Sequence, residues 1–271
     1  MNLTKTCRID KNYHTHTVRC HHAQGSEREY IEAAIKKGMR TLGFSDHTPQ
    51  PFKDGYVSSI RMVMDELDDY VGTVRALSEE YRGRIDIMTG LEVEYYQPLF
   101  DELMREISLR PIEYMILGQH FVPEEGNGFY AGNPTDSEER LAEYVNVVIR
   151  GLETGLFSYL AHPDLLNFTG DPLIYRREME RLCEYCRDKK VPLEINMLGY
   201  ITGRHYPNDE FFSLASELGC SFILGCDAHS PSGLLQPWEI PGFTGFLKRN
   251  RIEYSQEMDI RLPAYPQDDV G

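Results

Sequence analysis

Residues 43–47 read Gly-Phe-Ser-Asp-His, an apolar run that ends in an aspartate and a histidine shortly before Pro49. Along the rest of the chain, short β-rich runs alternate with longer helical ones, and most of the β-rich runs also end in histidine or a carboxylate. This alternation is typical of βα units built around a parallel sheet. In a (β/α) barrel the carboxyl ends of all strands meet on one face, where active sites are built. The sequence therefore predicts that its polar strand ends come together.

The apparent strands recur at regular intervals. They end near His16, Asp46, Glu92, His120, His162, Asn196 and Asp227. One βα unit takes about 30 residues or more, so these intervals fit seven units, two of them with insertions. Pro163 follows His162 directly, and a residue before proline favours extended backbone, so we expect His162 at the last position of its strand.

Local patterns predict both strands and helices. The runs at 85–88, 114–117 and 221–224 are almost continuously apolar, as strands covered on both faces should be. Ser26 and Glu29 have the spacing of a capping box at a helix start. Apolar residues also follow helical spacing over 141–152 and 211–218, and a glycine stops each of these stretches.

The length of 271 residues suits one α/β barrel, and no linker or low-complexity segment divides the chain. We therefore expect a single domain over 1–271, with 263–271 as a loose tail and 49–59 as a surface loop over the site. No apolar run approaches the ~18–20 residues that cross a bilayer, and the polar start lacks the core of a signal peptide. These features predict a cytoplasmic protein with no membrane partner.

The chain has 43 acidic and 28 basic residues and a formal net charge of −15. This charge disfavours nucleic acid as a partner, because such binding needs Lys and Arg against phosphates. A small phosphorylated substrate is compatible with it, since bound divalent cations can dominate the field in a pocket. The six cysteines lack disulfide or zinc-ribbon spacing, and we interpret Cys183-x-x-Cys186 as an i, i+3 coincidence on a helix.

Histidine and carboxylate pairs suggest a metal centre. On a strand, His14-x-His16 would point both rings to one face, and Asp227-x-His229 repeats that spacing. A single pair of this kind is often only a surface feature, but its recurrence at successive strand ends favours a multinuclear centre of imidazole and carboxylate ligands. Glu92 suits a bridging position, because a carboxylate can bind two cations and an imidazole cannot.

Together these residues resemble the polymerase and histidinol phosphatase (PHP) superfamily, specifically its monofunctional histidinol-phosphatase branch. The matching segments are 13–17 (YHTHT), 20–23 (CHHA), 43–47 (GFSDH), 90–92 (GLE), 118–120 (GQH), 161–163 (AHP), 194–196 (EIN) and 225–230 (GCDAHS). The resemblance implies a distorted seven-stranded, TIM-like (β/α)7 barrel with the metal site at the C-terminal ends of its strands. It also implies three divalent metal ions, for which zinc, manganese and iron all suit the ligand types.

The resemblance further implies how nine ligands are shared among these ions. They are His14, His16, Glu92 and Asp227 for the first ion, Glu92, His120 and His162 for the second, and His22, His47 and His229 for the third. His22 is preferred to its neighbour His21, because the family's histidine falls six residues after the second histidine of the H-x-H motif.

The activity implied is hydrolysis of a small phosphomonoester by hydroxide that bridges two of the ions. The specific expectation is L-histidinol phosphate, cleaved to L-histidinol and phosphate in histidine biosynthesis. Asp46, His47 and His229 are alternative proton donors to the leaving alkoxide. Glu94, Glu124 and Glu125 are expected to form an acidic rim for a cationic substrate.

One segment departs from the branch. After residues 194–196 the branch often shows Thr-Ser-Gly and a nearby basic residue, whereas residues 197–207 here read MLGYITGRHYP. Arg204 is the candidate phosphate clamp of this segment, with Arg19 as a second candidate. His205 belongs to no ligand motif and is expected to be structural or to face solvent.

Three other functions stay open. The first is a PHP phosphoesterase for another phosphomonoester, a phosphodiester or phosphotyrosine, because a fold does not determine a substrate. The second is a catalytically silent metal-binding domain, which predicts gaps in the ligand set. The third, nucleic-acid processing, is disfavoured by the charge. The sequence predicts no particular oligomeric state.

Overall fold

The computed structural model describes residues 7–53 and 55–261. The strands within these residues are β1 (Lys11–Asn12), β2 (Thr41–His47), β3 (Asp86–Val93), β4 (Tyr114–Leu117), β5 (Phe121–Val122), β6 (Phe129–Tyr130), β7 (Tyr159–Leu160), β8 (Leu193–Asn196), β9 (Phe222–Gly225) and β10 (Tyr254–Ser255). Eight of them form one parallel sheet in the order β1-β2-β3-β4-β7-β8-β9-β10, and β5 and β6 form a separate antiparallel hairpin.

The sheet curls until its two ends approach each other. Just beyond β1, Thr15 forms a parallel bridge with Ala228, just beyond β9. The backbone N–H of His16 donates to the carbonyl of Ala228 (3.0 Å), and the N–H of Ala228 donates to the carbonyl of His14 (3.3 Å). These bonds join the segment after β1, at one end of the sheet, to the segment after β9, next to its other end. The predicted distorted TIM-like barrel is therefore confirmed.

The sheet contains one strand that the sequence pattern did not predict. β10 pairs with β9 through Tyr254 and Phe222 and comprises only two residues, so it lacks the apolar run used to recognise the other strands. It adds an eighth parallel strand to the seven expected among the described residues.

Helices follow most strands. They are α1 (Glu27–Lys36), α2 (Leu67–Glu80), α3 (Gln97–Ser108), α4 (Glu138–Glu153), α5 (Pro172–Lys189), α6 (Met197–Ile201), α7 (Asp209–Glu217) and α8 (Phe243–Arg249). The predicted capping box of α1 is present, since the N–H of Ser26 donates to Glu29 Oε2 (2.7 Å). The apolar residues that predicted α4 and α7 are largely buried in the core.

Alternate side chains of the strands enter two different clusters, as expected for a closed barrel. On β4, Met115 and Leu117 join the large core beneath the helices, whereas Tyr114 and Ile116 join a smaller cluster. The hydroxyl of Tyr114 crosses this inner space and donates to the backbone carbonyl of Tyr13 (2.7 Å). The barrel is therefore filled with side chains below the histidine-rich edge.

Other sequence predictions have mixed outcomes. His162 follows β7 with φ of 29°, so its predicted extended backbone is wrong. Cys183 and Cys186 lie as buried thiols on α5, as the helical interpretation predicted. No helix in the described ranges combines the length and apolarity needed to cross a membrane. The predicted tail at 263–271 lies outside the described residues, and the single domain stays a prediction.

Candidate metal centre

The side chains of all nine predicted ligands gather at the C-terminal edge of the barrel strands, around the carboxylate of Glu92. Glu92 is 1% exposed. Its oxygens approach ring nitrogens of five histidines: His162 at 2.8 Å, His47 at 3.0 Å, His14 at 3.5 Å, His16 at 3.6 Å and His120 at 3.7 Å. β3 therefore places one carboxylate where histidines from four different parts of the chain can share it.

Several buried polar atoms at this point lack a hydrogen-bond partner. They include Nε2 of His14, Nε2 of His16 and Oε2 of Glu92, which lie within 4.8 Å of one another. Buried polar groups are almost always paired, and three potential ligand atoms aimed at one point suit a cation. Imidazole and carboxylate together are donors for zinc, manganese or iron. The residues present therefore fit a metal ion.

Asp227 completes this group. Its Oδ1 lies 3.1 Å from Nε2 of His16 and 3.5 Å from Nε2 of His14. The backbone of Asp227 has φ of 50°, in the left-handed region that residues other than glycine adopt infrequently. Such strain is typical of functional sites, where the surrounding structure holds a residue in place. His162 and His21 share a positive φ.

A second group lies at the mouth of the site. Nε2 of His22 is 3.0 Å from Nε2 of His229, and ligand atoms of His16, His47 and His229 lie within 4.8 Å of one another. Burial lowers the pKa of both His47 and His229 to about 3, with the charge of His16 acting in the same direction. Both rings are therefore neutral at pH 7, which is the form that binds metals.

His120 and His162 form a third group with the other oxygen of Glu92. Their rings are 4.8 Å apart, and each points a nitrogen to Oε1 of Glu92. The structure thus brings together the three sets of residues that the resemblance implied. His21 does not line the cavity, whereas His22 does.

Three carboxylates lie behind these histidines, and two of them, Glu194 and Asp46, hydrogen-bond to the rings of His14 and His16. Oε1 of Glu194 lies 2.7 Å from Nδ1 of His14, Oδ1 of Asp46 lies 3.3 Å from Nδ1 of His16, and Oε1 of Glu94 lies 3.3 Å from Nδ1 of His120. A carboxylate in this position fixes the tautomer of the ring and strengthens it as a metal ligand. The sequence analysis assigned no such role to Glu194 or Glu94. The available signal was their spacing, since each lies two residues from a strand-end residue and so shares its face.

The structure does not support Asp46 as the proton donor to a leaving group. Its carboxylate is fully buried and accepts hydrogen bonds from the backbone N–H of Thr17 (3.1 Å) and of His47 (2.8 Å). Burial alone would raise the pKa of Asp46, but the hydrogen bond and charge of His16 outweigh burial and hold it below the usual value. Asp46 is therefore an anion that positions His16.

The predicted acidic rim is also wrong for Glu94 and Glu125. Both are buried and share the guanidinium of Arg61, which is 1% exposed and donates from Nε to Oε2 of Glu125 (2.7 Å) and from Nη2 to Oε1 of Glu94. Burial alone would raise the pKa of Glu94, but the Arg61 charge helps to lower it to about 2. Glu124 lines a different cavity.

A cavity of about 490 Å³ opens above the metal residues. It is lined by His22, His47, Ile60, Glu92, His120, Phe121, Tyr130, Leu198, Arg204, Tyr206, Asp227 and His229. Sequence reasoning missed the aromatic and apolar members of this set, because they come from loops and from elements of only two to five residues, which are too short to show a periodic signal.

The two candidate arginines differ in position. Arg204 lies in the cavity wall and donates to the hydroxyl of Tyr206. Arg19 is outside the cavity lining, where its guanidinium pairs with Glu27 and Asp69. The structure therefore favours Arg204 over Arg19 as the candidate phosphate clamp.

The close approach of Gly118 to Glu92 leads to a first prediction. A Cβ at Gly118 would overlap Oε1 of Glu92, so Gly118→Ala must displace the shared carboxylate. We expect bound metal, measured by inductively coupled plasma mass spectrometry after dialysis, to fall in this variant. Gly72→Ala on α2 is the matched control, because a Cβ there meets nothing within 4 Å. Full metal content in Gly118→Ala would contradict the central role of Glu92.

The metal-free site should also release protons when it binds a cation. Burial alone would lower the pKa of His14, but the charges of Glu194, Asp227 and Glu92 outweigh burial and raise it well above 6.5. His14 is thus protonated at pH 7 without metal, must lose that proton to bind one, and gives weaker metal binding as the pH falls. Calorimetric zinc titrations of chelator-treated protein, in buffers of different ionisation enthalpy, measure this release.

Glu194→Gln provides the control for that titration. Glu194 contributes the largest charge effect that raises the pKa of His14, so its removal should reduce the number of protons released at the same pH. Equal release by both proteins would show that the proton does not come from His14.

Comparison with known proteins agrees with this geometry. The PHP domain family matches residues 12–197. A probable histidinol-phosphatase of Deinococcus radiodurans is 28% identical over 236 residues, which cover 80% of this chain and 85% of that protein. The histidinol-phosphatase of Bacillus subtilis is 37% identical over 94 residues, 33% of this chain and 35% of that protein.

Two solved structures share the fold. Histidinol phosphate phosphatase of Lactococcus lactis, complexed with zinc, L-histidinol and phosphate, has a TM-score of 0.69 at 19% identity and covers 93% of this chain and 99% of that one. A histidinol phosphatase assigned in Listeria monocytogenes has a TM-score of 0.68 at 18% identity over 84% of this chain and 98% of that one. Since the family match spans most of the sequence, the chain belongs to the PHP domain family.

Proposed function

We propose that this protein is a metal-dependent phosphoesterase that hydrolyses a small phosphomonoester, with L-histidinol phosphate as its preferred substrate and L-histidinol and phosphate as products. The observation that carries the proposal is the cavity of about 490 Å³, which is lined both by the histidine–carboxylate cluster and by Arg204. A phosphate group needs a cluster of cations, and such a site supplies them from both sides.

Glu92 and the eight other predicted ligands would hold three divalent ions of zinc, manganese or iron. When bound, such ions lower the pKa of water and oppose the charge on a phosphoryl group. The protein's own contribution is to fix the ligands. Glu194 and Asp46 hold the rings of His14 and His16 by hydrogen bonds, so these ligands need little reorganisation when substrate arrives.

Arg204 is proposed to bind the phosphate. Its guanidinium lies beside Tyr206, 5.7 Å from the centre of that ring, and donates to its hydroxyl. This contact leaves other N–H groups of the guanidinium to bind phosphate oxygens, for which an arginine fork is well shaped.

The leaving group faces the remaining walls. Phe121 and Tyr130 from the β5–β6 hairpin, together with Ile60 and Leu198, give one side of the cavity an apolar and aromatic character. Such walls suit a flat imidazole ring, which stacks on aromatic side chains. Of the three predicted proton donors, only His47 and His229 line the cavity, and both are neutral at pH 7. We therefore propose that water at the cavity mouth protonates the leaving alkoxide.

The names of the relatives support this substrate, since histidinol-phosphatases occur among both the sequence and the structural matches. A related phosphoesterase for another phosphomonoester, a phosphodiester or phosphotyrosine is the alternative. The cytoplasmic location stays a prediction.

The test is phosphate release by metal-loaded protein from L-histidinol phosphate, with p-nitrophenyl phosphate and a cyclic phosphodiester in parallel. We expect kcat/KM above about 10⁴ M⁻¹ s⁻¹ for L-histidinol phosphate alone, within the usual range for a physiological substrate. Equal or faster turnover of either other compound would contradict the substrate assignment. Lack of turnover by metal-loaded protein with all three would contradict the proposed phosphatase.

Arg204→Gln tests the phosphate clamp in the same assay. Loss of a charged hydrogen bond should raise KM about tenfold or more, while metal content stays unchanged. Arg19→Gln is the matched control and should keep normal kinetics, because Arg19 is already paired with Glu27 and Asp69. A normal KM for Arg204→Gln, or a raised KM for Arg19→Gln, would place the clamp elsewhere.

A further inference from the structure

The segment that carries Arg204 lies between α6 and α7 and has no helix or strand of its own over residues 203–208. A side chain on such a segment is held in place only if other parts of the protein anchor the loop. The anchors in this chain lie in the segment just after β7, which also carries the predicted metal ligand His162.

Three hydrogen bonds join the two segments. The backbone N–H of Asn208 donates to Oδ2 of Asp164 (2.8 Å), and the side-chain amide of Asn208 donates to the same oxygen (3.1 Å). Nε2 of His205 donates to the backbone carbonyl of Leu165 (2.7 Å). Arg204 and Tyr206 therefore lie in a stretch that is fixed on both sides of Tyr206 to residues 164 and 165.

Asp164 is costly to keep in this place. It is 1% exposed, and its second carboxylate oxygen, Oδ1, is buried without a hydrogen-bond partner. A buried carboxyl group with an unpaired acceptor oxygen destabilises the folded protein. Its presence is explained if the geometry that it fixes serves the site. The geometry here links Asp164 to a loop of the cavity wall.

Tyr206, which lies in the anchored loop, contacts both a predicted metal ligand and the proposed phosphate clamp. The ring of Tyr206 lies 6.0 Å from the ring of His162, and the hydroxyl of Tyr206 accepts from Arg204. On the other side of Tyr206, a Cβ at Gly199 would overlap its backbone carbonyl, so α6 packs directly against it. His162, Asp164, Tyr206 and Arg204 thus form one connected unit.

We propose that Asp164 and His205 are positioning residues that set the distance between the metal centre and Arg204, an inference that rests on the phosphate-binding role proposed for Arg204. The segment at 197–207 carries Arg204, and these two anchors hold that segment in place. Neither residue touches the substrate. Their effect reaches it through Arg204, and their loss moves Arg204 without removing a ligand of the metals.

The experiment measures KM, kcat, metal content and thermal unfolding for variants of the metal-loaded protein with L-histidinol phosphate. In Asp164→Leu, Asn208 loses its acceptor, and we expect kcat/KM to fall about 10- to 100-fold, mainly through KM, as small displacements of positioned groups do. Asp164→Asn keeps an acceptor oxygen for Asn208 and should restore most of the activity. Metal content should be normal in both variants.

His205→Leu tests the second anchor if Asp164→Leu fails to fold. His205 is only partly buried, so this change carries less risk to the fold. It should raise KM in the same direction, and His205→Gln, which keeps a donor, should be closer to the original protein. Tyr175→Phe is the matched control, because it removes another hydrogen bond of Asn208 (3.3 Å) without touching residues 162–165.

A double-mutant cycle separates this inference from the proposed function. If Asp164 acts through Arg204, the double variant Asp164→Leu/Arg204→Gln should be no worse than Arg204→Gln alone, because changes in one unit are not additive. Full additivity, or a normal KM in His205→Leu with an affected Arg204→Gln, would overturn the positioning role. A normal KM in Arg204→Gln itself would instead overturn the phosphate clamp.

Discussion

The histidine-rich edge of this barrel depends on the contacts between the buried carboxylate of Glu92 and the imidazole rings around it. A carboxylate that is 1% exposed must be compensated, and ring nitrogens of five histidines lie within 3.7 Å of it. His47 ends β2 and the other four histidines follow β1, β4 and β7, so separate parts of the chain meet at Glu92. The carboxylate of Glu92 occupies the space that a Cβ at Gly118 would take, and the carboxylate of Glu194 occupies the corresponding space at Gly225.

A gradient of support runs through the site. His14 and His16 are backed by the buried carboxylates of Glu194 and Asp46, whereas His22 and His229 are backed by the backbone carbonyls of Cys20 and Asp227. An anionic partner makes an imidazole a stronger ligand than a neutral carbonyl does. We therefore expect His14 and His16 to bind a metal more tightly than His22 at the mouth of the site.

Much of the site could be predicted from the sequence, because a parallel barrel brings every strand end to one face. The period of two along a strand placed His14 beside His16, and their spatial grouping with Glu92 follows from topology alone. A nearly continuous apolar run predicted β4 at its observed bounds, Tyr114–Leu117.

The remaining features depend on tertiary contacts that leave no periodic signal. The sequence suggested Asp46 as a proton donor and Glu94 as part of an acidic rim. In the fold, however, Asp46 accepts a hydrogen bond from Thr17, and Glu94 accepts one from Arg61. The sequence does not reveal that Arg19 forms ion pairs with Glu27 and Asp69 in the fold. The backbone at His162 adopts a positive φ against the preference of a residue before proline, with its N–H bonded to Oε2 of Glu194 (3.1 Å).

Anomalous diffraction from crystals grown with zinc or manganese and inorganic phosphate tests the central claim most directly. The account predicts three metal peaks in the histidine–carboxylate cluster, two of them at coordination distance, about 2.0–2.2 Å, from Glu92, with phosphate between the metals and Arg204. A cluster without metal peaks, or metals that do not contact Glu92, would contradict it.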